Sequence, residues 1–266
     1  MLIREPKCLV KALRVYEETE WKDHVMKRYG YEHGLPTTDL LDLFPNFAET
    51  VEPYSFLEGT SLPIDLALLK ALARNYEHCR YLEIGTWRGE SVANVASIAD
   101  QCVSINLSGD EMRQRGLSKE FIDVHRFFSK NFKNISHIGH DSHSFDFSVF
   151  KKKFDLIFID GDHTYKSIKI DTQNTFKLLR NIDSVIVWHD YGFSPERVRW
   201  SVLAGILDGC PKEKRKNLFH ISNTLCAIYI NRNFKTTFTA FPQMPNKSFK
   251  VKLCAVKCSD QKGGVV

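Results

Sequence analysis

The sequence predicts an α/β fold, Rossmann-like and doubly wound, built on a seven-stranded, mostly parallel sheet. Three observations carry that prediction. The stretch YLEIGTWRGES at 81–91 runs from an apolar strand pattern into a glycine turn and on into a helical pattern. Short apolar strand segments then alternate with helical periods down the chain, the arrangement that parallel strands require. Finally LFHIS at 218–222 and LCAIYIN at 225–231 follow one another with no helix between them, so the sheet should finish in an antiparallel edge hairpin.

Taken in order, Leu9, Leu13, Tyr16, Trp21, Val25 and Tyr29 recur at helical steps, with Gly30 as a stop, so residues 8–29 read as a helix. Residues 30–60 mix Pro, Gly and Thr with aromatics. With that helix they form an N-terminal extension over 1–59, which serves either as a lid over a substrate or as a packing or dimer contact. Thr60 or Ser61 with Pro63 starts a helix whose apolar face is Leu68, Leu69, Leu72 and Tyr76. After the glycine turn, Val92, Val95, Ala96 and Ala99 face inward, and CVSINL at 102–107 is a second strand. Ser118 opens a helix with Phe121, Val124, His125 and Phe128 on one side; ISHIG at 135–139 follows as a third strand. FDLIFIDGDH at 154–163 is apolar on both faces until Asp160 breaks it, as a buried parallel strand ends at a site. Thr164 begins a helix carrying Ile168, Thr172, Phe176 and Leu179; the strand SVIVWHDYG occupies 184–192; and Ser194 with Pro195 is read as the start of a helix through Val198, Val202 and Ile206. In the C-terminal β extension, 233–266, Phe249, Val251, Leu253 and Ala255 alternate with Lys250, Lys252 and Cys254. That period of two predicts an appended hairpin turning between Pro242 and Asn246.

At 43% hydrophobic and 26% charged, the 266 residues suit one substantial core rather than a disordered chain. A net charge of +5 is too mild for a nucleic-acid partner, and the one basic cluster, Lys212, Lys214, Arg215 and Lys216, lacks interleaved aromatics. The N-terminus carries no signal-like apolar segment, so the expectation is a cytoplasmic protein with no membrane partner. Seven cysteines at irregular spacing suit reduced thiols, and Cys254 with Cys258 makes too small a set for zinc. The N-terminal helix and the tail strand are the two candidates for a homodimer contact.

The glycine turn restricts the ligand. A dinucleotide motif would place a glycine where Glu83 stands, and a carboxylate there repels a pyrophosphate. A ligand with a cationic amine, a carboxylate and a ribose fits instead: Glu83 faces the amine while the turn amides and helix N-terminus face the carboxylate. S-adenosylmethionine is such a ligand.

These residues resemble the class I S-adenosylmethionine-dependent methyltransferases, and most closely the small-molecule O-methyltransferase-like branch. Three signatures carry the resemblance over residues 60–232: E-x-G-x-x-x-G at Glu83, Gly85 and Gly89, IDGDHTY at 159–165, and VWHDYG at 187–192. They stand at the carboxyl ends of successive strands, where open α/β sheets bind ligands. The resemblance implies that Glu83 and Gly85 meet the methionine end of the cofactor, that Thr86, Trp87, Gly89 and Ser91 line the turn, and that Asp141 and Ser142 hold the adenine amine. At the ribose the usual acid is replaced by Asn106, followed by Leu107.

For catalysis the resemblance points to Asp160, which also borders the cofactor, and to His163, His189 and Asp190. Metal-dependent relatives bind a divalent ion at the places of Asp160, His189 and Asp190; two carboxylates and an imidazole suit magnesium, manganese or a softer ion. Without a metal, His189 or His163 takes the acceptor's proton. The expected activity is methyl transfer to a small molecule, on oxygen. The rival expectations are a non-catalytic cofactor-binding protein and a metal-dependent hydrolase or hydroxylase built on Asp160, His189 and Asp190. Asp162 alternatively caps the helix after it, Arg88 is a solvated arginine, and Trp87 either packs or touches cofactor.

Overall fold

The computed structural model describes residues 6–151 and 153–258, with side chains of the first helix from Tyr16 onward. Helix α1 (Pro6–Tyr29) ends at Gly30, followed by β1 (Thr37–Thr38) and the short α2 (Leu40–Leu43). The alternating unit then runs α3 (Pro63–Ala73), β2 (Arg80–Ile84), α4 (Glu90–Ala96), β3 (Gln101–Asn106), α5 (Gly109–Gln114), α6 (Lys119–Asp123), β4 (Ile135–Gly139), β5 (Leu156–Ile159), α7 (Tyr165–Phe176) and β6 (Val185–Trp188). A small hairpin, β7 (Gly192–Ser194) and β8 (Arg197–Val198), precedes α8 (Trp200–Gly209), and β9 (Leu218–Ile221), β10 (Ala227–Tyr229) and β11 (Thr236–Thr237) close the fold.

The sheet order is β11-β1-β9-β10-β6-β5-β2-β3-β4. Strands β4, β3, β2, β5 and β6 are parallel, and β10 pairs antiparallel with both β6 and β9. This is the expected doubly wound core with its antiparallel edge. Two short strands from the flanking extensions lengthen it: β1 runs parallel to β9, and β11 antiparallel to β1.

Both faces of the sheet are covered, which explains why the central strands are apolar on both sides. Tyr81, Leu156, Phe158, Val185 and Val187 point into one core with Leu68, Leu69 and Leu72 of α3 and Val92 and Val95 of α4. Their neighbours Leu82, Ile157, Ile159, Ile186 and Trp188 point into the other, against Ile168 of α7 and Val202, Leu203 and Ile206 of α8. Val25 of α1 enters this second core, Trp21 stacks on Tyr165 at 4.2 Å, and Asp208 accepts hydrogen bonds from Tyr29 and Tyr165. The N-terminal helix is thus fastened to α7 and α8.

Three sequence readings need correction. The helix expected from Ser194 begins at Trp200, because Ser194 and Pro195 fall in the β7–β8 hairpin. A short helix over 109–114, capped by Ser108 with Glu111, was not foreseen. The C-terminal hairpin does not form among the described residues: 238–257 contain no strand, and Val251 and Leu253 stay 74% and 71% exposed. Alternation makes a strand only where a partner edge and an apolar surface receive it. Here the tail is instead tied down before its alternating part, by Arg197 over the Phe241 ring, the Gln243 N–H on Glu196, and Lys247 on Asp39 at 2.6 Å. Among the described residues no helix is long and apolar enough to cross a membrane.

Candidate active site

The three signatures meet at the carboxyl edge of the sheet. Gly85 leaves β2 at φ +92, its N–H donates to the Ile105 carbonyl at 2.8 Å, and any Cβ there would run into the Asp160 carbonyl. Gly89 caps α4 at φ +80, where a Cβ would meet Ser129. Both glycines are therefore required by positive φ and by close protein neighbours. Trp87, also left-handed at φ +44, packs against Phe121 and His125 at 4.6 and 5.1 Å and lies against Gly59. The Arg88 guanidinium sits over its ring and donates to the Glu58 carbonyl, so this arginine holds a loop rather than being solvated.

Glu83 is fully buried. One carboxyl oxygen accepts from the Tyr81 hydroxyl at 2.7 Å; the other, Oε1, is buried without a partner. Burial raises the pKa to about 8, against the hydrogen bonds from Tyr81 and Ser91, and the nearby Asp160 adds to the rise. Thr86 bonds the Ser104 hydroxyl, and with Asn106, Leu107 and Gly139 these residues line a cavity of about 50 Å³. Asn106 donates to the Leu107 carbonyl. Asp141 pairs with Arg115 at 2.6 Å, and Ser142 bonds Asp171, whose buried carboxyl is pushed up to about 6.

The other half of the edge is a chain of charges. His189 follows β6 with its side chain 7% exposed. Its Nε2 donates to Asp65 at 3.1 Å, and its Nδ1 lies 3.0 Å from Asp160 and 3.5 Å from Asp190 without an aligned hydrogen bond to either. Burial opposes a charged ring, but Asp160 leads an attraction that holds the pKa well above that of free histidine. Asp190, at φ +54, turns its carboxylate toward His163 Nε2 at 2.9 Å, with Arg199 at 3.9 Å. Burial works against the Asp190 charge, yet the two imidazoles beside it, His163 and His189, hold it well below the usual carboxylate range. His163 is one-third exposed; burial lowers its pKa, but the hydrogen bond and charge of Asp190 raise it further, so the net shift is upward. Asp162 accepts from the Thr164 N–H and from the Thr164 and Ser167 hydroxyls, but the cap of α7 is Thr164, which Asp162 braces.

Asp160, His189 and Asp190 each offer a ligand atom within 4.8 Å of one another. The unaligned Nδ1 between two carboxylates, with Nε2 anchored on Asp65, is a donor set that fits a divalent ion. His137, His140 and His143, three apart in sequence, do not converge: His137 faces Ser129 and His140 the Asp141 carbonyl. Sequence reasoning missed Asp65, Asp171 and Ser61 (3.4 Å from Asp160), whose partners are distant in the chain, and also Tyr81 and Arg199, whose partners Glu83 and Asp190 are near in sequence but are reached only through the strand and turn geometry.

Residues 82–191 match the family model of a methyltransferase domain. That match spans 110 of the 266 residues and includes all three signatures in whole or in part. Solved structures similar to this chain include cofactor-bound Rv0187 from MTB (18% identity, 66% of this chain and 84% of that one, TM-score 0.48). Others are a putative O-methyltransferase from Klebsiella pneumoniae (14%, 66% and 84%, 0.45) and an O-methyltransferase from Bacillus cereus in complex with SAH (16%, 65% and 82%, 0.43). No curated protein sequence matches this chain.

Proposed function

We propose that this methyltransferase carries the methyl group of S-adenosylmethionine to a hydroxyl oxygen of a small molecule, with His163 as the base. The observation that carries this reading is the His163–Asp190 pair beside Asp160, at the end of the strand next to Glu83. The cofactor half supports it through Glu83, whose unpartnered oxygen is suited to a cationic amine; Gly85 and Ser91 border the same place. Asn106 with Leu107 would take the ribose without charge assistance, and Ser142 the adenine side.

The sequence offers His189 or His163 as the base. The geometry favours His163. A base must reach the acceptor, and the His189 side chain is 7% exposed with its ring held between Asp65, Asp160 and Asp190, whereas the His163 side chain is 33% exposed. His163 has one nitrogen on Asp190 and a second, Nδ1, with no partner, so Asp190 orients the ring and Nδ1 takes the proton. The acceptor oxygen attacks the methyl carbon as the sulfonium carbon–sulfur bond breaks, its proton passes to His163, and S-adenosylhomocysteine leaves. A divalent ion on Asp160, His189 and Asp190 would act as a Lewis acid and lower the pKa of the acceptor hydroxyl. Ser61, Arg199 and Phe193, which lies under the Arg199 guanidinium, are placed to border the acceptor.

The test is to incubate the protein with methyl-labelled S-adenosylmethionine and a panel of hydroxyl, amine and thiol acceptors, following labelled product and S-adenosylhomocysteine. Labelled ether or ester supports the reading. Transfer only to nitrogen or sulfur rejects oxygen as the target, and tight cofactor binding with no turnover supports the non-catalytic alternative.

A further inference from the structure

We propose that Asp65 is the positioning residue of this site: it fixes the ring of His189, and through it the Asp190 carboxylate that orients His163. Asp65 stands at the start of α3, outside all three signatures, and is fully buried. Its Oδ2 accepts from the Leu62 N–H at 3.0 Å and from His189 Nε2 at 3.1 Å, and its Oδ1 accepts from the Leu225 N–H at 3.0 Å. Three donors from three separate segments thus converge on one carboxylate. The two backbone N–H groups come from the first turn of α3 and from the segment entering β10, which pairs with β6. They leave the carboxylate no freedom to turn away from His189.

The consequence is directional. With Nε2 anchored, the opposite ring nitrogen can point only at Asp160 and Asp190. An imidazole has two dissimilar faces, and the partner on one nitrogen decides what the other presents. Without Asp65 the ring has no reason to keep Nδ1 toward the strand ends, and Asp190, already at a positive φ, loses one of the three groups beside it, His163, His189 and Arg199. Ser61 and the Tyr54 hydroxyl that bonds its carbonyl reach the same place from the loop just ahead of α3, so the helix start also brings the loop to Asp160.

The kinetic part of this inference rests on the methyl-transfer reading; the placement of the ring does not. The test uses the full chain labelled with ¹⁵N-histidine and the variant Asp65→Asn, which keeps the shape but presents an amide where a carboxylate took three donors. In the wild type, the His189 Nε2–H should give a slowly exchanging ¹H–¹⁵N signal, assigned by its loss in His189→Gln. In Asp65→Asn that signal should move or vanish while cofactor affinity changes less than about twofold, and kcat should fall about 10–100-fold with KM for S-adenosylmethionine unchanged. A wild-type His189 with no hydrogen on Nε2 overturns the proposal whether or not the variant folds. An Asp65→Asn protein with an unchanged Nε2–H signal overturns it too. If the signal behaves as expected and no acceptor is methylated by the wild type, the placement stands and the activity reading falls.

Discussion

Two carboxyl groups, Glu83 fully buried and Asp190 partly so, stand at strands separated by β5 and meet opposite fates. Asp190 sits between two imidazoles and is ionised far below the usual carboxylate range; Glu83 has no cation among its described partners and is pushed up to about 8. Both have lost water, so the difference is the countercharge. On the acceptor side the chain supplies it as His163 and His189. On the Glu83 side it would come from the proposed cofactor, whose sulfonium-bearing amino acid brings an amine. In that reading one half of the crevice is finished on folding and the other on binding.

That contrast is broken most severely at His163. His163→Ala should lower kcat by about 10²–10⁴, the usual worth of a positioned base, and leave S-adenosylhomocysteine affinity unchanged by calorimetry. Because the His163 pKa is raised above 6.5, wild-type kcat should climb with pH through a midpoint above that value, and the climb should vanish in the variant. An unaltered rate returns the role of base to another group.

Next in size is Asp190→Asn, which leaves two imidazoles facing a neutral amide. The loss should be about 2–3 kcal/mol in urea unfolding, short of the 3–5 of a fully buried pair because 24% of the Asp190 side chain reaches solvent. Glu83→Gln should cost the ligand-free fold far less, since the carboxyl it replaces is already neutral at pH 7. Equal losses in the two variants would mean that Glu83 too has its countercharge built in.

The sheet, its order of elements and the convergence of the three signatures were legible in the sequence because each depends on local period or on a glycine turn. YLEIG and FDLIFID announce their strands without reference to the rest of the chain. What was not legible depends on distant partners. Asp65 meets His189 across 124 residues and Leu225 across 160, and at the start of α3 it reads only as an early helix acid. The alternation of 249–255 is as regular as that of a real strand, yet no edge receives it among the described residues, while Thr37–Thr38, with no pattern at all, joins the sheet because β9 presents a free edge. The different exposure of His163 and His189 likewise depends on partners that the local sequence does not name.

On the cofactor side Glu83→Gln should weaken S-adenosylhomocysteine by about 10–100-fold, the worth of one charge-assisted hydrogen bond. The smallest effect is the most specific, because it reads the missing countercharge directly. Below pH 8 free Glu83 holds its proton; an incoming ammonium favours the carboxylate, so binding expels that proton. At pH 6.5 the ligand's amine is already charged, and binding should release close to one proton. At pH 9 Glu83 is ionised beforehand and the release should disappear. Calorimetry in two buffers of different ionisation enthalpy counts the proton, and Glu83→Gln should abolish it while still binding weakly. A wild type that releases none at pH 6.5 would place the amine elsewhere and remove the difference between Glu83 and Asp190.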